Sequence, residues 1–360
     1  MKTPIGNLKD INLADHEICA QVLSEDKHQL IEGLVFESYF DQFLMSLSEA
    51  SGEQVKLVDV DTAVVSLPRN RRGLAAFVWA RSKGDGLGRY LIALNRRMPV
   101  WLVSFSDGEF FAAPFSNGEI QDVYRPLQVV AEEVSGRTEV LFDRIEAAVR
   151  DRKRINQSFW GYLSERHGDA LGLNIVLPRI FLNWGIQPWF NHVWNVDRVF
   201  LHGDQLWHFE IKHKYPMERG QSLFFGINTG ELRLMQNLVN CGLRSMHTLI
   251  VKPNWSKFAG SMYIQNDMRS RARAAVIGRE MKSDAIDAAL LSKGGVSSSD
   301  TTFTGTGSVT FRSFAANTFH RFGRLNDDYR EVAGRIFQHM QTGDQPLCND
   351  EDLFRLRINN

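Results

Sequence analysis

The sequence predicts an α/β protein: a mixed sheet flanked by helices, preceded by an N-terminal α/β domain and followed by a mostly helical C-terminal region. Three observations carry this. Val193 to Lys214, VWNVDRVFLHGDQLWHFEIKHK, has the alternation and central turn of a β-hairpin. A helical stretch and another short strand follow, an order that makes the last strand a crossover partner in the hairpin's sheet. Residues 1 to about 150 mix helix and strand candidates of their own.

At 360 residues, 43% of them apolar and with 24 Phe and 8 Trp, the chain can bury more than one core. We expect divisions at 1–150, 151–265 and 266–360. In the first, His28 to about Glu49 reads as an amphipathic helix with Leu30, Leu34, Tyr39, Phe43 and Leu47 among its apolar positions, ending near Gly52. Strand candidates are Val55–Val58, Ala63–Leu67, Leu74–Ala80, Tyr90–Leu94, Val100–Phe105 and Glu109–Ala113, with turn signals such as Ser106-Asp107-Gly108 between them. Helical stretches at about 127–133 and 139–152 lead onward. Lys83 to Gly88 (KGDGLG) lacks the Gly-Lys-Ser/Thr ending of a phosphate loop and reads as a flexible turn. No catalytic constellation stands out in this domain, which leaves target recognition, regulation or oligomerisation as its expected job.

The middle region opens with helices over Ile155 to about His167 and Leu171 to Trp184, the second interrupted by Pro178. Gly185 and Pro188 then lead into the hairpin. Beyond it, Asn228 or Thr229 can cap a helix bearing Leu232, Met235, Leu238 and Val239 at helical spacing, closed by Cys241-Gly242. Met246 to Val251 (MHTLIV) is the next strand. In the last region we expect a helix from Ser270 to Leu291, a Ser/Thr/Gly-rich loop (KGGVSSSDTTFTGTGS), an aromatic and basic stretch from Phe311 to Phe322, and a closing helix from Asp327 to Gln341. The aromatics of that stretch read as buried, with solvated basic residues between them.

The hairpin carries the chemistry. With Gly203-Asp204 as a two-residue turn, facing residue numbers add to 407, so Asp197 meets Glu210. Side chains so opposed have β-carbons about 4.5–5.5 Å apart, and Lys212 shares the face about 6.6 Å along. Two carboxylates this close repel unless a cation lies between them, and a hard divalent ion such as Mg²⁺ suits one or two carboxylates plus waters. A three-residue loop would pair Asp197 with Phe209 and turn it to the other face. The plainer alternative is a solvated stripe formed by Leu206, His208, Glu210, Lys212 and Lys214.

Asp197, then Glu210-Ile211-Lys212 on the next strand, then a helix bearing Gln236 and a further strand, together resemble the core of the PD-(D/E)XK nuclease superfamily. The resemblance spans roughly residues 155 to 255. It implies a restriction-endonuclease-like fold in which Asp197 and Glu210 bind Mg²⁺, with Mn²⁺ as a substitute. The backbone carbonyl of Ile211 adds a ligand, and Lys212 orients or activates the attacking water. Val196 stands where the family name has Pro. Gln236 is followed four residues later by Asn240, where the RecB-like subgroup has Tyr. Members often draw another acid from a first helix, a place Glu165 fits. Gly33 to Glu37 (GLVFE) resembles a helix signature of the Mrr-like enzymes, yet no hairpin with Glu-x-Lys follows it, and core packing by Phe36 explains it better.

Forty-two basic residues balance forty-two acidic ones, so net charge makes no case for nucleic acid. Basic clusters at Arg69-Arg71-Arg72, Arg150 to Arg154 and Arg269 to Lys282 read as solvated, with phosphate contacts as their functional alternative. Cys19, Cys241 and Cys348 are far apart and form neither a zinc pattern nor a disulfide framework. His208 and His213 differ by an odd number and point to opposite faces of one strand, against a zinc site. The N-terminus lacks a secretory apolar core and no run of 18 apolar residues marks a membrane span, so a cytoplasmic protein is expected. The expected function is a Mg²⁺-dependent endonuclease acting on double-stranded DNA in restriction or anti-phage defence, as a homo-oligomer and with an operon-encoded partner in view. The alternative is a non-catalytic nucleic-acid-binding scaffold.

Overall fold

The computed structural model describes residues 1–68, 73–139, 142, 145, 146, 149–256, 259–298 and 308–358. Its centre is a mixed sheet built from distant parts of the chain. Helix α1 (His28–Ala50) precedes strand β1 (Val55–Val58), and the chain then leaves for another sheet. That second sheet contains β2 (Val60–Ser66), β3 (Leu74–Ala80), β4 (Val100–Ser106), β5 (Glu109–Ser116) and β6 (Val193–Val196), with helix α2 (Leu87–Asn95) between β3 and β4. The chain returns as the hairpin β7 (Arg198–His202) and β8 (Gln205–Lys214). Strands β9 (Met217–Arg219) and β10 (Ser222–Asn228), helix α3 (Thr229–Asn240) and strand β11 (Arg244–Val251) follow. After them come β12 (Ala275–Glu280), helix α4 (Ser283–Leu291), β13 (Gly295–Ser298), β14 (Ser308–Ala315), β15 (His320–Arg324) and helix α5 (Tyr329–Thr342).

Among the described residues the central sheet runs β15-β12-β11-β8-β7-β1. β8 lies parallel to β11 and antiparallel to β7, so α3 is the crossover that parallel neighbours require. Strand alternation sends Trp207, Phe209 and Ile211 into a core shared with Phe36, Phe40 and Phe43 of α1. His213 belongs to that side, its ring stacked on Phe36 at 3.3 Å between centroids. The opposite face packs under α3, where Leu206 and Val199 meet Leu234 and Leu238. Asn228 caps α3 by accepting from the Gly230 amide at 2.8 Å, and Gly242 at φ 94° ends it. Strands β9, β10, β14 and β13 form a smaller antiparallel sheet beside it.

The join between the two larger sheets is one residue long. Val196 ends β6, paired with Thr62 of β2, and Arg198 begins β7, paired with Phe209 of β8. Asp197 is the residue between them. Residues 59–197 are therefore an insertion within the central sheet.

This corrects the expected divisions. A boundary at 150 would cut both sheets, because β1 pairs with β7 and β2 with β6. Strands separated by well over a hundred residues pair side by side, which periodicity does not reveal. The region from 266 is also not mostly helical: residues 275–280 form β12 in the central sheet, and β15 lies at its edge. Ala275, Val276, Ile277 and Gly278 are all buried, so the segment shows the unbroken small and apolar run of a strand covered on both faces rather than alternation. Tyr90–Leu94 is helical, inside α2. Leu87, Tyr90, Leu91 and Leu94 share its packed side, and Gly86 at φ 88° opens it. The expected helix over 139–152 and the loop after Lys293 fall partly outside the described residues, as do Arg71 and Arg72 with Arg69 entirely.

Candidate active site

The hairpin closes through Gly203-Asp204 in the two-residue register, Arg198 facing Phe209 and His202 facing Gln205. Continuing that series by one step brings Asp197 to Glu210. Asp197 Oδ2 accepts the Ile211 amide at 2.9 Å, which fixes the carboxylate at the end of the pairing. Lys212 Nζ stands 3.5 Å from Asp197 Oδ2 and is ion-paired with Glu210 Oε1. The stripe is not a solvated face: Asp197 is 5% exposed, Glu210 3% and His208 0%. β8 is an inner strand with helices over both faces, so its polar positions face packed structure.

Burial alone would depress the Lys212 ammonium, but Asp197 and Glu210 together hold its pKa well above the usual lysine range. A third acid belongs to the cluster. Glu37, partly buried on α1, has its pKa pushed up to about 7 by desolvation first and then by the Asp197 charge, against the opposing pull of Arg198 and Lys212. One turn further along α1, Asp41 receives both Nε and Nη2 of Arg198, at 2.8 and 2.6 Å. The Nη1 of Arg198 reaches the carbonyl of Asp197 at 2.7 Å. One guanidinium thus ties the helix carrying Glu37 to the backbone of Asp197. The carbonyl of Glu210 is held in turn by Thr248 Oγ1 at 2.8 Å.

The other expected site residues fare differently. Gln236 does not join Asp197, Glu210 and Lys212: its side chain bonds to Asp287 of α4. The α3 residue that reaches toward the site is Glu231, 3.9 Å from Lys214 and felt by Lys212, and a five-residue step puts Gln236 on another helix face. Ile211 meets Asp197 through its amide, while its side chain lies in the core. Glu165 is exposed, and the acid that a first helix brings to the hairpin is Glu37. The GLVFE stretch was the available sequence signal. Phe36 of that stretch is buried in the core, as expected, and Glu37 beside it precedes Asp197 by 160 residues. Lys214 is a second amine on the stripe, donating to the Gly226 carbonyl at 2.9 Å. His208 and His213 do lie on opposite faces, against Ser245 and Tyr263 respectively. Of the basic clusters, Arg154 is paired with Glu32 and Arg150 with Glu25. The run from Arg269 is broken by β12, where Arg279 bonds Thr318. Phe314, Phe319 and Phe322 are buried, as expected of the aromatic stretch, whereas Phe311 is only half-buried.

Among the described residues, no group of three or more His, Cys, Asp and Glu side chains is placed so that it could hold a metal ion. The donor chemistry nevertheless fits a hard cation. Glu210 Oε2 is buried without a hydrogen-bond partner, and Glu37, its pKa raised by desolvation first and by the Asp197 charge second, lies within that charge's reach. Asp197 and Glu210 would be the carboxylates to hold such an ion, with Lys212 giving up the contacts that now occupy both.

Comparison with protein-family models, with curated proteins and with solved structures returns no match. Among the described residues, no helix is long and apolar enough to cross a membrane.

Proposed function

We propose that the protein is a metal-dependent endonuclease of the PD-(D/E)XK type, with Mg²⁺ as cofactor and Mn²⁺ as a substitute. The observation that carries the reading is Asp197, Glu210 and Lys212 meeting at the end of a hairpin, with Glu37 brought to them by the preceding helix. The order α1, β1, β7, β8, α3, β11 supports the family resemblance, once residues 59–197 are seen as inserted. A bound Mg²⁺ supplies Lewis acidity at a phosphate oxygen and lowers the pKa of a coordinated water. Asp197 and Glu210 would hold it. Lys212, held protonated by both acids, can position a water or offset charge growing on the phosphate. Arg198 keeps Glu37 and Asp197 in one frame.

Double-stranded DNA is the proposed substrate, and restriction or anti-phage defence the proposed setting, on the family resemblance. Cutting both strands calls for two sites, hence a homo-oligomer, and an operon-encoded partner belongs to the same proposal. The three free, buried thiols suit a cytoplasmic setting. A non-catalytic scaffold is the second reading, favoured by Lys212 already contacting both carboxylates.

The test is Mg²⁺- and Mn²⁺-dependent cleavage of supercoiled, linear and single-stranded DNA and of RNA by the wild type, Asp197→Ala and Lys212→Ala. Cleavage abolished in both variants is expected. No cleavage together with no metal binding by calorimetry would overturn the nuclease in favour of the scaffold.

A further inference from the structure

Beside Glu210 lies a closed polar ladder whose other members, His208, Ser245 and His247, the proposed chemistry does not use. β8 and β11 are parallel neighbours in which His208 pairs with Ser245 and Glu210 with His247, so all four side chains share one face. His208, Ser245 and His247 are 0% exposed. His208 Nδ1 lies 3.0 Å from Ser245 Oγ, and its Nε2 lies 3.5 Å from Glu210 Oε2. Neither Nε2 nor Oε2 has a hydrogen-bond partner among the described residues, and neither ring nitrogen of His247 has one.

We infer that His208 is a positioning residue for Glu210, its tautomer set by Ser245. This deepens the nuclease reading and rests on it, since it gives Glu210 its aim. A neutral imidazole carries one N–H. If that proton sat on Nδ1, the bare Nε2 lone pair would face a carboxylate oxygen across 3.5 Å in a site closed to water. If Ser245 donates to Nδ1 instead, the proton sits on Nε2 and points at Oε2. Glu210 is then held at both ends of its carboxylate, Oε1 by Lys212 and Oε2 by His208. At 3.5 Å the contact is at the outer limit of a hydrogen bond. Outer partners of this kind orient a ligating carboxylate, and losing one costs about 10- to 100-fold in metal affinity.

The experiment uses the full chain and Mn²⁺ as probe. Glutamine places an amide N–H where His208 has Nε2, whereas asparagine places one where it has Nδ1. We expect His208→Asn to weaken Mn²⁺ binding by about 10- to 100-fold, His208→Gln to restore most of the affinity, and Ser245→Ala to fall between. Long-range ¹⁵N–¹H spectra of the wild type are expected to show His208 protonated at Nε2. Equal Mn²⁺ affinity in the Asn and Gln variants, or an Nδ1–H tautomer in the wild type, overturns the inference. Wild type that binds no Mn²⁺ overturns the metal reading instead, and the tautomer still decides whether His208 points its proton at Glu210. If His208→Asn does not fold, the tautomer and the Gln and Ala variants decide.

Discussion

Replacing Glu37 with Gln should make the metal-free protein more stable at alkaline pH and leave it unchanged at acid pH. Glu37 has a folded pKa of about 7 against an ordinary value of 4.5, with desolvation as the chief cause and Asp197 the next. An acid raised in this way binds more protons folded than unfolded, so stability is lost as pH climbs from about 4.5 through about 7 and is level above that. At about 1.4 kcal/mol for each pH unit between the two values, the ceiling is about 3 kcal/mol. Screening by solvent at this partly buried position brings the expectation to about 2 kcal/mol. Glu37→Gln removes the ionisation, so its urea midpoint should lie above the wild type's at pH 8 and meet it at about pH 4, both in chelator. Parallel pH profiles for the two proteins would refute the argument, since they would show that Glu37 ionises as freely in the fold as in the unfolded chain.

Arg198→Leu strands Asp41 and frees the Asp197 carbonyl, and should cost about 3 kcal/mol by urea unfolding, part of it recovered in the double variant with Asp41→Asn. His213 and His247 are kept neutral, their pKa values pushed well down by desolvation first and neighbouring lysines second. They therefore contribute stability that is present above about pH 6.5 and lost below it. Imidazole resonances that titrate with midpoints near 6.5 in the folded protein would contradict this. Gly172→Ala would place a methyl 2.1 Å from the Leu13 carbonyl oxygen and should cost at least about 1–3 kcal/mol. Gly334→Ala, in α5 with nothing within 4 Å of the new methyl, should instead stabilise by about 0.4–1 kcal/mol, and thermal melts of the pair check both.

What could be read ahead of the structure follows interaction range. The hairpin register was legible because a two-residue turn and a period of two determine it locally, and with it Asp197 opposite Glu210. The α3 cap and the crossover to β11 are equally local. The place of Glu37 is not legible, because its relation to the hairpin spans the insertion and no local pattern encodes which strands will be neighbours. Gln236 came from motif spacing, which does not report helix phase; Glu231, in the first turn, faces the site instead. The burial of His208 and Glu210 escaped for a related reason. A polar stripe looks solvated until the elements covering it are known.

The single-residue join at Asp197 also has a consequence for the order in which the protein matures. The helix that carries Glu37 leaves the ribosome 160 residues ahead of Asp197, and at about 5–20 residues per second that is an interval of roughly 8–32 seconds. During it, α1 lacks β7, β8 and β11, while β2 to β5 can already pair among themselves. The central sheet thus waits on the completion of the insertion, and its long-range contacts make it the slow, late-closing part of folding. Because β6 passes straight into β7, docking β6 against β2 delivers Asp197 to its place. The site's first carboxylate is set by the last act of one sheet and the first act of the other.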